Sequence, residues 1–180
     1  MEKPIFYCDC DGVILNTIEV AFSIMRDHGC NTSNRSEVDN YFRKLINWNE
    51  IFERARIINN SIDRLRYIKE SEIFKDVVIL TKLSGSDNEE RLKRDLFKEI
   101  LPNTRVITLQ YGLNKGVVVP AKGNILLDDE IGNCEKWRNE DGTAILFSQY
   151  MRSPDDDIIN DLSDLVHTEG VKKLLKTRYF

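Results

Sequence analysis

The stretch Asp9-Cys10-Asp11-Gly12 constrains this chain more than any other four residues. It closes an apolar run, Ile5-Phe6-Tyr7-Cys8, of the kind that forms a strand buried on both faces of a parallel sheet. Ligands of such sheets bind outside the carboxyl ends of the strands, which is where Asp9 and Asp11 fall. Gly12 permits a sharp turn directly after the acids. The same residues also suit an ordinary solvated turn. An EF-hand calcium loop is excluded, because its glycine is sixth, its twelfth residue is glutamate and a helix precedes it. Here the glycine is fourth, the twelfth position is Val20, and a strand comes before.

Strand-like runs recur at Asp76–Thr81, Arg105–Leu109, Asn124–Leu127 and Thr143–Phe147. Segments of helical period separate them, at Ile18–His28, Glu89–Ile100 and Asn133–Asn139. This alternation predicts an α/β fold, a doubly wound and mostly parallel sheet of Rossmann-like type. Val117–Val119 reads as an edge strand or hairpin arm, and Asp155–Lys176 as one or two terminal helices. Between Asn31 and Phe74 the chain lacks proline and glycine, is rich in charge and is helical in period. Helices are expected there at Ser36–Ile46, Asn49–Asn59 and Ser61–Glu72, with Ser36 and Ser61 as caps. The expected organisation is a core of residues 1–30 and 75–180 carrying a small helical cap, residues 31–74.

A chain of 180 residues can bury a sizeable core as one domain with an insertion. Its net charge of −4 and pI near 5.3 argue against an extended nucleic-acid surface. They do not exclude a small anionic substrate, since a bound divalent cation reverses the local sign of an acidic pocket. The cysteines, Cys8, Cys10, Cys30 and Cys134, have no Cys-x-x-Cys spacing and read as free, mostly buried thiols. No apolar run approaches ~18 residues, so no membrane span is expected. Glu2-Lys3 leads straight into the first strand without the pattern of a secretory leader, and a reduced, cytoplasmic setting is expected.

Three apolar runs end in polar functional groups: Asp9 and Asp11, Thr81, and Asp128 with Asp129. A parallel sheet brings such ends to one edge, and together they suit phosphoryl transfer. One aspartate can attack phosphorus, and a carboxyl two residues later can protonate the leaving oxygen and then deprotonate water. Mg²⁺ on oxygen ligands neutralises the phosphate, while a hydroxyl and a lysine steady the transferring oxygens.

This ordered set resembles the haloacid dehalogenase (HAD) superfamily over residues 4–29 and 75–150. The resemblance implies that Asp9 is the nucleophile and Asp11 the general acid/base, with the Asp11 carbonyl also on the metal. It places Thr81 and a lysine on the phosphate, Asp129 directly on Mg²⁺ and Asp128 behind it. Lys115 is favoured for the lysine, Lys122 is the alternative, and Lys82 lies too close to Thr81 to turn back. Asp-x-Asp-Gly-Val at 9–13, Leu-Leu-Asp-Asp at 126–129 and Gly-x-Ala-Ile-Leu-Phe at 142–147 are similar to the 5′(3′)-deoxyribonucleotidase branch. Several members of that branch carry an aromatic residue where Thr17 stands here.

The implied function is a Mg²⁺-dependent phosphomonoester hydrolase acting through an aspartyl-phosphate on a (deoxy)nucleoside monophosphate. A sugar phosphatase and a non-catalytic phosphate- or partner-binding protein are the alternatives. A two-component receiver domain has the same residue types in a different order and no room for the insertion. The cap aromatics Tyr41, Phe42, Trp48 and Phe52 either pack the cap's own core or project onto a base, Trp48 foremost.

Overall fold

Apolar residues alternate between two covered faces along each strand of a parallel sheet. The computed structural model describes residues 2–86 and 88–179; Met1 and Phe180, the ends of the expected core spans, and Asp87 lie outside them. The strands are β1 (Ile5–Cys8), β2 (Asp76–Leu83), β3 (Arg105–Gln110), β4 (Ile125–Asp128), β5 (Thr143–Phe147) and β6 (Ile158–Ile159). They run β3-β2-β1-β4-β5-β6, and every pairing is parallel.

Phe6, Cys8, Ile79 and Leu127 face one apolar layer, which includes Leu65, Phe97 and Leu165. Tyr7, Val78, Leu80 and Leu126 face the other, closed by Cys134 and Trp137. The period of two therefore buries both faces, and β1 sits at the point where the strand order reverses. The fold is the expected doubly wound α/β architecture.

The helices are α1 (Thr17–Asp27), α2 (Arg35–Lys44), α3 (Trp48–Arg54), α4 (Ser61–Glu70), α5 (Glu89–Ile100), α6 (Lys115–Val118), α7 (Ile131–Asn139) and α8 (Glu169–Tyr179). α1, α2 and α3 share a separate apolar cluster of Val20, Ile24, Met25, Tyr41, Trp48 and Ile51. α4 does not join it. Ile58, Ile62, Leu65 and Ile68 pack instead with Phe6 and Val77 in the sheet's main layer. The stretch expected as a cap, residues 31–74, thus divides: α2 and α3 stand over the sheet edge, and α4 is part of its flank.

The connection between the two is pinned to the loop after β1. Ile58 N–H donates to the Ile14 carbonyl at 2.9 Å, and Asn16 N–H to the Arg56 carbonyl at 3.1 Å. Ser61 does not cap α4, because its hydroxyl donates to the Ile14 carbonyl; Asn60, at φ 54°, precedes the helix instead. At α2 the cap is Asn34, whose side chain accepts the Ser36 N–H.

Two other expectations differ from the structure. Val117–Val119 is not a strand: Lys115–Val118 form α6, started by the Asn114 side chain accepting the Gly116 N–H at 3.0 Å. The tail contains two 3-10 turns and β6 before its helix α8. All four cysteines are free. Among the described residues no helix is long and apolar enough to cross a membrane.

Candidate active site

The β1, β2 and β4 strands deliver their terminal polar groups to one edge, as parallel pairing requires. Asp9 follows β1 and is held by β4 through its own N–H, which donates to the Leu127 carbonyl at 2.9 Å. Asp128 ends β4, and Asp129 opens the loop to α7. Gly12 adopts φ +78°, and a Cβ built there would collide with the Asp129 carboxylate, so only glycine allows the two loops to meet.

Two buried lysines divide the acidic residues between them. Lys115, from α6, places its ammonium nitrogen 2.6 Å from Asp128 Oδ2 and 3.0 Å from Asp9 Oδ1. Burial alone would push that ammonium down, but the Asp9 and Asp128 charges outweigh it and hold it above the ordinary lysine value. Lys122 lies far out, 81% exposed, paired with Asp141. Of the two candidates, the structure brings Lys115 to the acids.

Asp128 has both oxygens engaged: Oδ2 by Lys115, Oδ1 by the Glu130 N–H at 3.0 Å and by Asn133 Nδ2 at 2.9 Å. Asp129 takes no hydrogen bond from the described residues. Asp9 Oδ1 accepts the Cys10 N–H at 2.8 Å as well as Lys115, which leaves Oδ2 free of described donors. Burial, with the charges of Asp128 and Asp11, pushes the Asp9 carboxyl up to about 7 against the pull of Lys115. Loss of water and the neighbouring charges of Asp9 and Asp128 push Asp129 up to about 8.

The second lysine had no signal as a site residue in the sequence reading. Lys93, on α5, is fully buried and lies 2.6 Å from Asp11 Oδ2 and 2.8 Å from Glu89 Oε1. Thr17 donates its hydroxyl to Asp11 Oδ1 at 2.7 Å. Thr81 is wholly buried, with its hydroxyl 3.2 Å from Asp11 Oδ2 and 3.1 Å from Lys93 Nζ, so here it faces Asp11 and Lys93.

One oxygen each from Asp9, Asp128 and Asp129 lies within 4.8 Å of the others. With Asp11 and Glu89 this makes five carboxylates against the two ammonium groups of Lys93 and Lys115. When all are ionised the centre carries three surplus negative charges, which a phosphate would not approach unaided. Clustered hard oxygen donors, one of them unpartnered, fit Mg²⁺. Asp9 and Asp129 are the residues with oxygens free to hold it, while Asp128 is occupied in orienting Lys115.

Above these acids opens a cleft of about 310 Å³ between the cap and the sheet edge. Asp9, Asp11 and Asp129 form its floor, and Phe42, Trp48 and Tyr111 supply aromatic walls. Trp48 is itself buried in the cap cluster and donates its Nε1–H to Ser84 Oγ at 2.9 Å.

No family model and no curated protein matches the chain. Solved structures do share its fold. A HAD hydrolase of family IA from Entamoeba histolytica superposes with a TM-score of 0.60 at 12% identity, over 98% of this chain and all of that one. YfnB from Bacillus subtilis, named as a HAD hydrolase and solved with magnesium, gives 0.60 at 13% identity, over 93% and 98%. A structure from Lactobacillus delbrueckii named for phosphoglycolate phosphatase gives 0.55 at 12%, over 95% and 99%. The chain has the Rossmann-like α/β fold of HAD hydrolases.

Proposed function

We propose that the protein is a phosphomonoester hydrolase that uses Asp9 as nucleophile, with Mg²⁺ as its metal. The observation that carries this reading is the placement of Asp9 beside Lys115, Asp128 and Asp129 at the floor of a cleft wide enough for a small organic phosphate. Mg²⁺, held by Asp9, Asp129 and the Asp11 carbonyl, would neutralise the phosphate charge. Asp9 attacks phosphorus, forming an Asp9 O–P bond as the bond to the leaving oxygen breaks, and protonated Asp11 gives its proton to that oxygen. Asp11, now a carboxylate, takes a proton from the water that attacks phosphorus. The Asp9 O–P bond then breaks, releasing phosphate and restoring both carboxyl groups. Lys115 holds Asp9 in place and balances the negative charge that gathers on the phosphoryl oxygens.

For the substrate we favour a deoxynucleoside or nucleoside monophosphate, supported by the aromatic walls Phe42, Trp48 and Tyr111. A phosphorylated sugar or hydroxy acid is the second reading, supported by fold neighbours named for β-phosphoglucomutase and phosphoglycolate phosphatase. A Mg²⁺-supplemented screen of nucleotides, sugar phosphates and phosphoglycolate separates the two, and Asp9→Asn should abolish turnover of every substrate found. Silence across the panel, or an active Asp9→Asn protein, would overturn the phosphatase reading.

A further inference from the structure

Asp11 is the proposed acid/base, yet its carboxylate is held by more than the cleft requires. Oδ2 accepts from Lys93 at 2.6 Å and lies 3.2 Å from the Thr81 hydroxyl, whereas Oδ1 meets the Thr17 hydroxyl alone. An oxygen already facing an ammonium group is a poor place for a proton, so the proton of the acid form belongs on Oδ1. The Thr17 hydroxyl can turn to accept from it.

Lys93 is in turn fixed from behind. It donates to Glu89 Oε1 at 2.8 Å and to the Lys82 carbonyl at 2.8 Å. Glu89 Oε2 accepts from the Ser84 N–H at 2.6 Å and the Ser84 hydroxyl at 2.7 Å, and Ser84 Oγ accepts the Trp48 indole N–H. The Trp48 ring also lies 5.0 Å from the Lys93 ammonium. An unbroken chain of polar contacts thus leads from the cap, through Trp48, Ser84, Glu89 and Lys93, to one oxygen of Asp11. A buried lysine and glutamate are costly to keep in a fold, and a neutral pair would pack α5 as well.

We propose that Lys93 is a positioning residue that turns Asp11 so that Oδ1 handles the proton, and that Glu89 and Ser84 couple this clamp to the seating of Trp48. The inference rests on the phosphatase reading above. Cap and acid/base are then set together: when Trp48 leaves Ser84, the Ser84 hydroxyl that bonds Glu89 loses its donor and Lys93 loses the ring beside its ammonium, so Asp11 is held less firmly.

The test compares two Mg²⁺-assayed probes, 4-nitrophenyl phosphate, whose leaving group needs no proton, and an alkyl phosphate, whose leaving group does. Asp11→Asn should slow the alkyl ester far more than the aryl ester. Lys93→Met should show the same selectivity, with kcat for the alkyl ester falling about tenfold further than for the aryl ester, a fraction of the roughly 100- to 10,000-fold that acid–base catalysis supplies. Asp11→Asn with Lys93→Met should be no slower on the alkyl ester than Asp11→Asn alone, because the two act through one group.

Because Lys93→Met strands Glu89, the neutral pair Glu89→Gln/Lys93→Met is measured beside it. Ser84→Ala, which removes the link to Trp48 and the hydroxyl bond to Glu89 but keeps the Ser84 N–H bond to Glu89, should give a smaller loss of the same selectivity. Equal losses on both esters, or additive losses in the Asp11/Lys93 double variant, would overturn the inference while leaving the phosphatase reading intact. A wild-type protein inert on both esters would overturn the phosphatase reading and this inference together.

Discussion

Gly12 and Asp129 come together so closely that no side chain fits between them. Gly12 belongs to the turn after Asp9, the proposed nucleophile, and Asp129 to the loop after β4, so the contact sets how near the proposed metal ligand comes to Asp9. Gly12→Ala adds a methyl group against Asp129 and forces it onto a backbone with φ +78°. The expected result is a folded protein destabilised by about 1–3 kcal/mol, with Mg²⁺ affinity weakened at least about tenfold. Isothermal titration and thermal melts would check both; undiminished Mg²⁺ binding would separate Asp129 from the metal.

The two candidate lysines differ in surroundings and so in predicted effect. Lys115→Met leaves Asp9 and Asp128 without their buried counter-charge, which costs about 3–5 kcal/mol when one partner of such a pair is removed. Turnover should fall about 100-fold or more, the scale of a lost preorganised charge contact. Lys122→Met removes a solvated pair with Asp141 and should leave kcat within about twofold. The opposite pattern would move the phosphate-binding role to Lys122.

Metal removal has a pH signature. Asp9 and Asp129 have carboxyls raised to about 7 and about 8, above the value of 3.8 for an unperturbed aspartate. A raised folded-state value means the folded protein holds protons that the unfolded chain releases. The stability these groups contribute is therefore full below about pH 4 and lost as pH rises through about 7 and 8. At the proposed site Mg²⁺ would bind the ionised carboxylates and relieve their repulsion, so its effect should grow over the same window. Differential scanning calorimetry should show the melting point in excess Mg²⁺ raised by about 5 °C at pH 8.5 and by less than half of that at pH 6. Asp129→Asn should flatten the difference; a Mg²⁺ effect independent of pH would contradict the assignment.

Much of this arrangement is legible in the sequence. The runs Ile5–Cys8, Val77–Leu80 and Ile125–Leu127 are apolar without alternation, as a strand covered on both faces requires, and parallel pairing then dictates that Asp9, Asp11, Thr81, Asp128 and Asp129 converge. Lys93 and Glu89 were not legible. They share one stripe of α5 with the buried Phe97, at spacings of four, but charged residues on such a stripe read as a solvated face. Lys93 is buried against Asp11, which lies 82 residues earlier in the chain, and Glu89 is buried against Lys93. α4 was assigned to the cap for a similar reason: its period says that Ile62, Leu65 and Ile68 bury one face, not which partner covers them. Val117–Val119 misled because a short β-branched run has strand propensity, whereas Asn114 supplies a helix cap just before it.

The aromatic walls of the cleft divide by what each can do for a substrate. Trp48 is 3% exposed and bonded to Ser84, so Trp48→Ala would disturb the cap cluster as well as any ligand contact. Tyr111, on the loop after β3, is 63% exposed, lines the same cleft, and has the Arg43 guanidinium 5.6 Å above its ring. It is the better probe of base stacking, because its removal leaves no buried partner behind. Stacking of a base on an aromatic side chain is worth about 1–3 kcal/mol, so Tyr111→Ala should raise KM for a nucleoside monophosphate about 5- to 150-fold. The melting point and the kcat for that nucleotide should stay unchanged, as should the kinetics with phosphoglycolate, which has no ring to stack. Steady-state kinetics on the two substrates decide the matter: an unchanged nucleotide KM in Tyr111→Ala would remove the base-stacking argument and leave the sugar or hydroxy-acid phosphate as the favoured substrate.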